Sequence, residues 1–240
     1  MIITGAEEYI FPLYSAPADG DNVDLGAGAF LGTAFLVSSQ GDAITAAHVI
    51  PLPEALPEGH RIVAATWHQG KPQPCWITHA ATFESFDVAL LQLNLRETKW
   101  LPLLSTDLPP GSDLSVVGIP NHQTRPDQRQ LRHLKGHVTL ASDVLELSCA
   151  VPRGMSGSPV FMAGAVVGYA TGMVRSEEIE DSVEEVIENE PGREKVSRTE
   201  IRRVTSYGIA RSFAALELFC DPIFGGKNLL HFVNDRNHPR

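Results

Sequence analysis

The chain has little cysteine, no excess of positive charge, no long apolar run and no basic leader, and each shortage closes off a class of protein. Three cysteines (Cys75, Cys149 and Cys220) in 240 residues are widely spaced and odd in number, so they suggest neither a disulfide scaffold nor a thiolate metal site. Lys and Arg number 19 against 29 Asp and Glu, a formal charge of −10, whereas a nucleic-acid binder normally presents a basic face. No stretch approaches the roughly 18–20 apolar residues of a membrane-spanning helix. The first ten residues, from Met1 to Ile10, lack the basic and apolar regions of a secretory signal, so a cytoplasmic protein with reduced thiols is expected.

What the chain does have is punctuation. Its 20 glycines and 17 prolines fall between short apolar runs rich in Val, Ile, Leu, Phe and Thr, not in one linker. Runs of four to nine residues bounded by turn signals predict strands, and many of them predict an all-β sandwich or barrel. The predicted strands are 9–14, 30–37, 42–45, 61–67, 76–80, 87–93, 112–118, 132–140, 144–150, 159–162, 165–171 and 203–210. Ser38-Ser39-Gln40-Gly41-Asp42 reads as the hairpin loop between the second and third. Two segments break the pattern. Ile179, Val183, Val186 and Ile187 recur at i, i+4, i+7 and i+8, one stripe of a helix over 176–190, with Ser176 as N-cap, Pro191-Gly192 as stop and Glu180, Asp181, Glu184, Glu185 and Glu188 on the other face. Residues 211–219, with Phe213, Leu216 and Leu218 among alanines, read as a C-terminal helix.

The stretch with the most chemistry is Gly154-Met155-Ser156-Gly157-Ser158-Pro159. A serine between close glycines suggests a tight turn that exposes a hydroxyl and aims backbone N–H groups at one point, as a developing oxyanion requires. A serine hydroxyl is a poor nucleophile until a base takes its proton; histidine is the usual base, with a carboxylate to fix its tautomer. Of nine histidines, His48 stands out, because Ala46-Ala47 precede it where a strand turns into a short helical piece. Asp87 heads the apolar run Val88-Ala89-Leu90-Leu91-Gln92-Leu93, where a carboxylate is partly buried and needs a partner.

These three blocks, Thr45-Ala46-Ala47-His48-Val49, Asp87-Val88-Ala89-Leu90-Leu91 and Gly154–Pro159, stand in the order His, Asp, Ser. Together they resemble the signature blocks of trypsin-like (chymotrypsin-fold) serine peptidases, in style closest to compact bacterial HtrA-type protease domains. The resemblance runs over about residues 28–218. It implies an all-β fold, a chymotrypsin-like double β-barrel, here with a C-terminal helix and a helical acidic insertion. The chain is then one peptidase unit over 1–240: a first barrel to about 105, a second barrel with the C-terminal helix over about 106–220, and a charged insertion at 176–200. It also implies a triad of Ser156 as nucleophile, His48 as base and Asp87 as its orienting acid. The N–H groups of Gly154 and Ser156 would form the oxyanion hole. Ser158, the neighbouring hydroxyl, falls where the family usually carries glycine.

The chain departs from the family in ways that bear on control and specificity. Met155 replaces the aspartate that pairs with a new N-terminus after zymogen cleavage in digestive members, and no activation site of that kind is seen near the start. The specificity pocket is expected from residues 150–153, 169–172 and 205–209, including Ala150 and Thr171. Ala150 stands where trypsins carry the aspartate that binds basic side chains, so a small or apolar P1 residue is expected. Few residues follow the last predicted helix, so no PDZ-like module is expected. The leading function is a serine endopeptidase acting on a dedicated cytosolic protein. The alternatives are a catalytically silent protease-fold binding module, or an esterase or amidase using the same triad. Expected partners are a protein or peptide substrate and a regulatory protein contacting 176–200; no nucleic acid, membrane, cofactor or metal is expected.

Overall fold

The computed structural model describes residues 8–68, 71–96, 98–121, 131–190, 193–217, 219 and 221–238, with the backbone alone described at 68, 176–190 and 193–204. Cys220, Leu218 and His122, which the sequence reading touched, lie outside the described residues.

Every predicted strand is present, and the strands close into two barrels. In the first, β1 (Ile10–Asp19) pairs with β3 (Ala29–Leu36), followed by β4 (Asp42–Thr45), β7 (Val88–Leu93), β6 (Lys71–Phe83) and β5 (His60–His68), which returns to β1; a two-residue β2 (Asn22–Val23) flanks β1. The second runs β10 (Leu145–Leu147), β13 (Arg193–Ser212), β12 (Ala165–Glu190), β11 (Pro159–Met162), β8 (Asp113–Gly118) and β9 (Arg132–Ala141), closed by β9 on β10. All these strand pairs are antiparallel.

The near-continuous apolar runs follow from where each face points. Side chains alternate across a strand, and here both faces of the inner strands are covered. Ala34, Leu36, Ala43, Ala89 and Leu91 fill the first barrel. Their neighbours Phe35, Val37, Ile44, Val88 and Leu90 face a separate core shared with Val117, Phe161, Val166 and Tyr169 of the second barrel. Val116, Val160, Val167 and Ala170 turn into the second barrel instead. One shared apolar layer therefore holds the barrels together.

The C-terminal segment completes that layer. Residues 211–219 are not the expected helix: Arg211 and Ser212 finish β13, and only Ala214–Leu216 turn, as a 3-10 helix. The helix comes later, as α1 (Leu229–Asn237), N-capped by the Asn228 side chain, which accepts the N–H of His231 at 2.8 Å. Leu216, Phe224, Leu229, Leu230 and Val233 enter the inter-barrel core. Phe219 and Phe224 stack on Phe83 with centroids 5.2 Å away in both cases. At its far end α1 grips the Ser38–Asp42 hairpin. Arg236 Nε lies 2.6 Å from Asp42 Oδ2, and Asn237 accepts the N–H of Ser39 at 3.0 Å while donating to Val37 O at 2.9 Å.

The expected acidic helix at 176–190 is a strand. β12 and β13 run on beyond the barrel as a long ribbon, from Ser176 opposite Thr205 to Glu190 opposite Arg193. The register explains why helical periodicity lost. It places Glu178 opposite Arg203, Glu184 opposite Arg198, Glu188 opposite Lys195 and Val186 opposite Val196, and opposite charges at facing positions stabilise a strand pair. Ile179, Val183, Val186 and Ile187 are also β-branched, stiff in a helix and suited to a strand. Bulges after Ile179 and Val186 break the alternation, which is why no period of two was visible.

Candidate active site

The hydrogen-bonded pair at the cleft is His48 and Asp87. Ala47–Val49 form a single 3-10 turn at the end of β4, and His48 projects from it half exposed. Its Nδ1 lies 2.9 Å from both Asp87 carboxylate oxygens, and its backbone N–H donates to Asp87 Oδ1 at 3.0 Å. The bond to Asp87 raises the His48 pKa above its ordinary 6.5; burial opposes the rise and the carboxylate's charge adds to it.

Asp87 is held in an uncommon backbone conformation. It closes the 3-10 turn Glu84–Phe86 at φ 51° and ψ 43°, the left-handed region that Asp tolerates better than most residues. Neighbours on both sides fix it there. Its own carbonyl accepts the N–H of Ala47 at 3.0 Å, and the carbonyl of Phe86 accepts the Tyr169 hydroxyl at 2.7 Å. Burial raises the Tyr169 pKa, with Arg211 opposing, which keeps that hydroxyl a donor. The sequence placed Tyr169 and Ala170 in the pocket wall; the structure buries both completely, Ala170 in the second-barrel core and Tyr169 as a support of the Asp87 turn from that barrel.

The Ser156 turn is two overlapping turns, each with a glycine at its third position. Met155 N–H donates to Pro152 O at 3.1 Å with Gly154 at φ 93°, and Ser158 N–H donates to Met155 O at 3.0 Å with Gly157 at φ 83°. Both are type II, which demands that positive φ. Space demands glycine as well. A Cβ on Gly157 would lie 2.1 Å from Thr33 O, and one on Gly154 would lie 2.4 Å from Asn121 N.

Five successive carbonyls, from Pro152 to Ser156, are taken. Arg153 O accepts from Asn121 N–H at 2.8 Å, Gly154 O from Thr33 Oγ1 at 3.0 Å and Ser156 O from Thr33 N–H at 3.0 Å. In a planar trans peptide the N–H points opposite to the C=O, so the Gly154 N–H faces away from Asn121, which bonds Arg153 O, and the Ser156 N–H faces away from the Ser158 N–H, which bonds Met155 O. Neither the Gly154 nor the Ser156 N–H makes a hydrogen bond among the described residues. A pair of unspent donors beside a serine suits a developing negative oxygen.

The same contacts set the Ser156 turn against the end of β4: Ser156 O bonds Thr33, and Gly157 packs against Thr45 and Ala46, which lead into His48. The Ser156 hydroxyl itself donates to Thr171 O at 3.3 Å, and no hydrogen bond joins it to His48 among the described residues. Thr171 lies at a bulge of β12, its own hydroxyl 3.5 Å from Ile209 O. Ala150 is exposed nearby, one residue past Cys149, whose carbonyl would meet a Cβ on Gly208 at 2.5 Å. Ser158 is fully buried with its hydroxyl unpartnered among the described residues, out of reach of any substrate. Met155 is fully buried in the second-barrel core. Burial pushes the Cys75 thiol up to about 11 and also raises that of Cys149, so neither offers a competing thiolate. No helix among the described residues is long and apolar enough to cross a membrane.

Comparison with known proteins gives the family and the fold. The sequence model of a family described as a trypsin-like peptidase domain matches residues 32–168. Among solved structures, the chain resembles the active form of the Rv3671c protease from M. tuberculosis at TM-score 0.57 and 17% identity, covering 89% of this chain and 80% of that one. It resembles the HtrA-type protease AlgW, solved with a decapeptide, at TM-score 0.55 and 18% identity, over 90% of this chain and 64% of that one. A serine endoprotease from Yersinia pestis matches at TM-score 0.51 and 16% identity over 69% of this chain. The chain spans 54% of the length of that Yersinia pestis structure. No curated protein matches by sequence.

Proposed function

Because this chain belongs to the trypsin-like peptidase family, we propose that it is a serine endopeptidase working through Ser156, His48 and Asp87. The observation that carries the reading is the double hold of Asp87 on His48, at Nδ1 and at the backbone N–H, beside a serine turn with two unspent donors. With Nδ1 engaged, the other ring nitrogen, Nε2, is left to accept a proton. The Ser156 hydroxyl leaves Thr171 O and gives its proton to Nε2 as Oγ bonds to the scissile carbonyl carbon. The carbonyl π-electrons move to oxygen, where the N–H groups of Gly154 and Ser156 receive them. The tetrahedral centre collapses, the C–N bond breaks and His48 returns the proton to the leaving amine. Water then repeats the sequence on the acyl-enzyme and releases Ser156.

The subsite that takes the P1 side chain is assigned to Ala150 and Thr171. An alanine at that place offers no charge to a basic residue and favours a small or apolar one. The substrate class proposed is a dedicated cytosolic protein cut at few sites, with the β12–β13 ribbon as the surface on which it or a regulatory protein docks. The motive is continuity: Thr171, whose carbonyl holds the Ser156 hydroxyl, lies on the strand that becomes the ribbon.

A fluorophosphonate probe tests the reading. Labelling of the wild type at Ser156, lost in Ser156→Ala and His48→Ala, is expected, and a peptide library then reports the P1 residue. The Ser156–Thr171 bond favours one competing reading, a silent binding module with the nucleophile parked; an unlabelled wild type would establish that. Hydrolysis of esters with no peptide cut would point to an esterase.

A further inference from the structure

Thr33 belongs to the first barrel, yet it holds the turn of the second. It is fully buried in β3, and the sequence reading gave it no role. Its hydroxyl donates to Gly154 O at 3.0 Å and accepts the N–H of Ile119 at 3.2 Å; a second acceptor, Ile119 O, lies farther off at 3.5 Å. Its backbone N–H donates to Ser156 O at 3.0 Å, and its carbonyl accepts the Thr45 hydroxyl at 2.7 Å. One residue thus ties two of the four peptides around the nucleophile to the opposite barrel.

The hydroxyl acts where the turn is softest. Gly154 has no Cβ to restrict it, and glycine surrenders more backbone freedom than any other residue when fixed. Two outside contacts fix the peptides on either side of it. Asn121 N–H holds the Arg153–Gly154 peptide by its carbonyl, and Thr33 Oγ1 holds the Gly154–Met155 peptide by its carbonyl. The second peptide is also pinned at its other end, where Met155 N–H meets Pro152 O. Without the Thr33 hydroxyl, rotation about the Gly154 Cα–C bond is restrained from within the turn alone. The Gly154–Met155 peptide lies between the Gly154 and Ser156 N–H groups, so the two donors then lose the fixed relative aim that a preorganised pair requires.

We propose that Thr33 is a positioning residue for the reaction, its hydroxyl fixing the peptide between the Gly154 and Ser156 N–H groups and so their relative aim. The proposal rests on the peptidase reading above. It touches neither substrate nor the reacting atoms, so its effect is on the rate of bond formation at Ser156 and not on the titration of His48.

The test compares Thr33→Val, which keeps shape and the backbone N–H but removes the hydroxyl, with Thr33→Ser, which keeps the hydroxyl. The full-length variants are compared by their rate constant for fluorophosphonate labelling per folded molecule, by the pH profile of that labelling, and by thermal unfolding. Thr33→Val is expected to label about 10–100-fold more slowly, below the loss for deleting a donor outright, with the pH midpoint unmoved. Thr33→Ser is expected within about threefold of wild type. Equal labelling of folded Thr33→Val and wild type would overturn the proposal, as would equal losses in the valine and serine variants. If Thr33→Val does not fold, Thr33→Cys, close to serine in size but with only a weak S–H donor, replaces it, and unchanged labelling there overturns the proposal too. A wild type that never labels removes the peptidase reading first and this proposal with it, which is a distinct result.

Discussion

Asp87 holds His48 by two different groups, the imidazole Nδ1 at 2.9 Å and the backbone N–H at 3.0 Å, both with the same Oδ1. Ring and main chain are therefore oriented by one carboxylate. Replacing it by Asn presents an amide that can donate to Nδ1, which favours the wrong tautomer; a loss of about 10³–10⁴-fold in kcat is expected from such a change. The pH response follows from the raised His48 pKa. Activity needs neutral imidazole, so kcat/KM rises with pH through a midpoint above 6.5, and Asp87→Asn moves that limb to lower pH. Stability runs the other way. The pair's contribution is complete below the unfolded value near 6.5 and is lost as pH climbs through the raised one. Profiles of kcat/KM and of Tm for both proteins check the two signs, and an acid limb unmoved by Asp87→Asn would contradict the assignment.

Gly157→Ala tests the turn. The left-handed φ alone costs about 1–2 kcal/mol for a residue with a Cβ, and the added carbon meets Thr33 O at 2.1 Å, Thr45 Oγ1 at 2.2 Å and Ala46 N at 3.0 Å. Both barrels must separate locally to admit it. Loss of labelling at Ser156, together with a lowered Tm, is the expected outcome.

Arg236→Ala tests the last helix. Asp42 is almost wholly buried, and Arg236 is its cationic partner at 2.6 Å; Arg236 also donates to Gln92 Oε1 at 2.7 Å. Removing one member of a buried pair strands the other charge, a loss of about 3–5 kcal/mol, lessened here because Arg236 is a third exposed. A fall of about 2–3 kcal/mol by urea denaturation is expected. Asp42→Asn combined with Arg236→Met should lose less than Arg236→Ala alone.

Ser158→Ala should do the reverse. The Ser158 hydroxyl is buried without a partner among the described residues, and the space at Gly118 is so tight that a Cβ there would overlap it. Deleting an unsatisfied hydroxyl removes a desolvation cost of about 1–3 kcal/mol. Equal or higher Tm with unchanged labelling is expected; lost labelling would mean that Ser158 takes part in the chemistry.

The ribbon can be shortened at a paired position of β12 and β13. Arg175 and Ser206 are paired neighbours in β12 and β13, so an Asn-Gly turn joining them should close the hairpin early. The shortened protein is expected to fold and to label at Ser156 at the wild-type rate. Its cleavage of a physiological protein target should fall at least tenfold, and an unchanged rate there would remove docking from the ribbon's role.

How much of this was legible depended on whether the determining contacts were local. The β-barrels could be read because β4, β7 and β8 announce themselves by apolar runs between turns. His48, Asp87 and Ser156 could be singled out as candidates because each sits in a short stretch with its own backbone logic, and the structure pairs the first two. The ribbon was misread because its partner strand follows the segment and only the pairing of Glu184 with Arg198 and its neighbours decides its state. The C-terminal helix was placed too early because Phe213 and Leu216 are apolar for a different reason: they cover the inter-barrel core. Thr33 went unmarked and Tyr169 was given to the pocket because their roles exist only between the barrels, where no spacing in the chain records them.

The late position of α1 also imposes an order in time. A ribosome finishes the hairpin Ser38–Asp42 and the Phe83–Asp87 segment long before Phe219, Phe224 and Arg236 are made. Until those arrive, the Asp42 carboxylate lacks its cation and the aromatic stack beside Asp87 lacks its upper rings. The packing that steadies the Asp87 turn is thus completed only once residues 219–236 have been made, and a chain cut before Phe219 should fold with that turn unsupported.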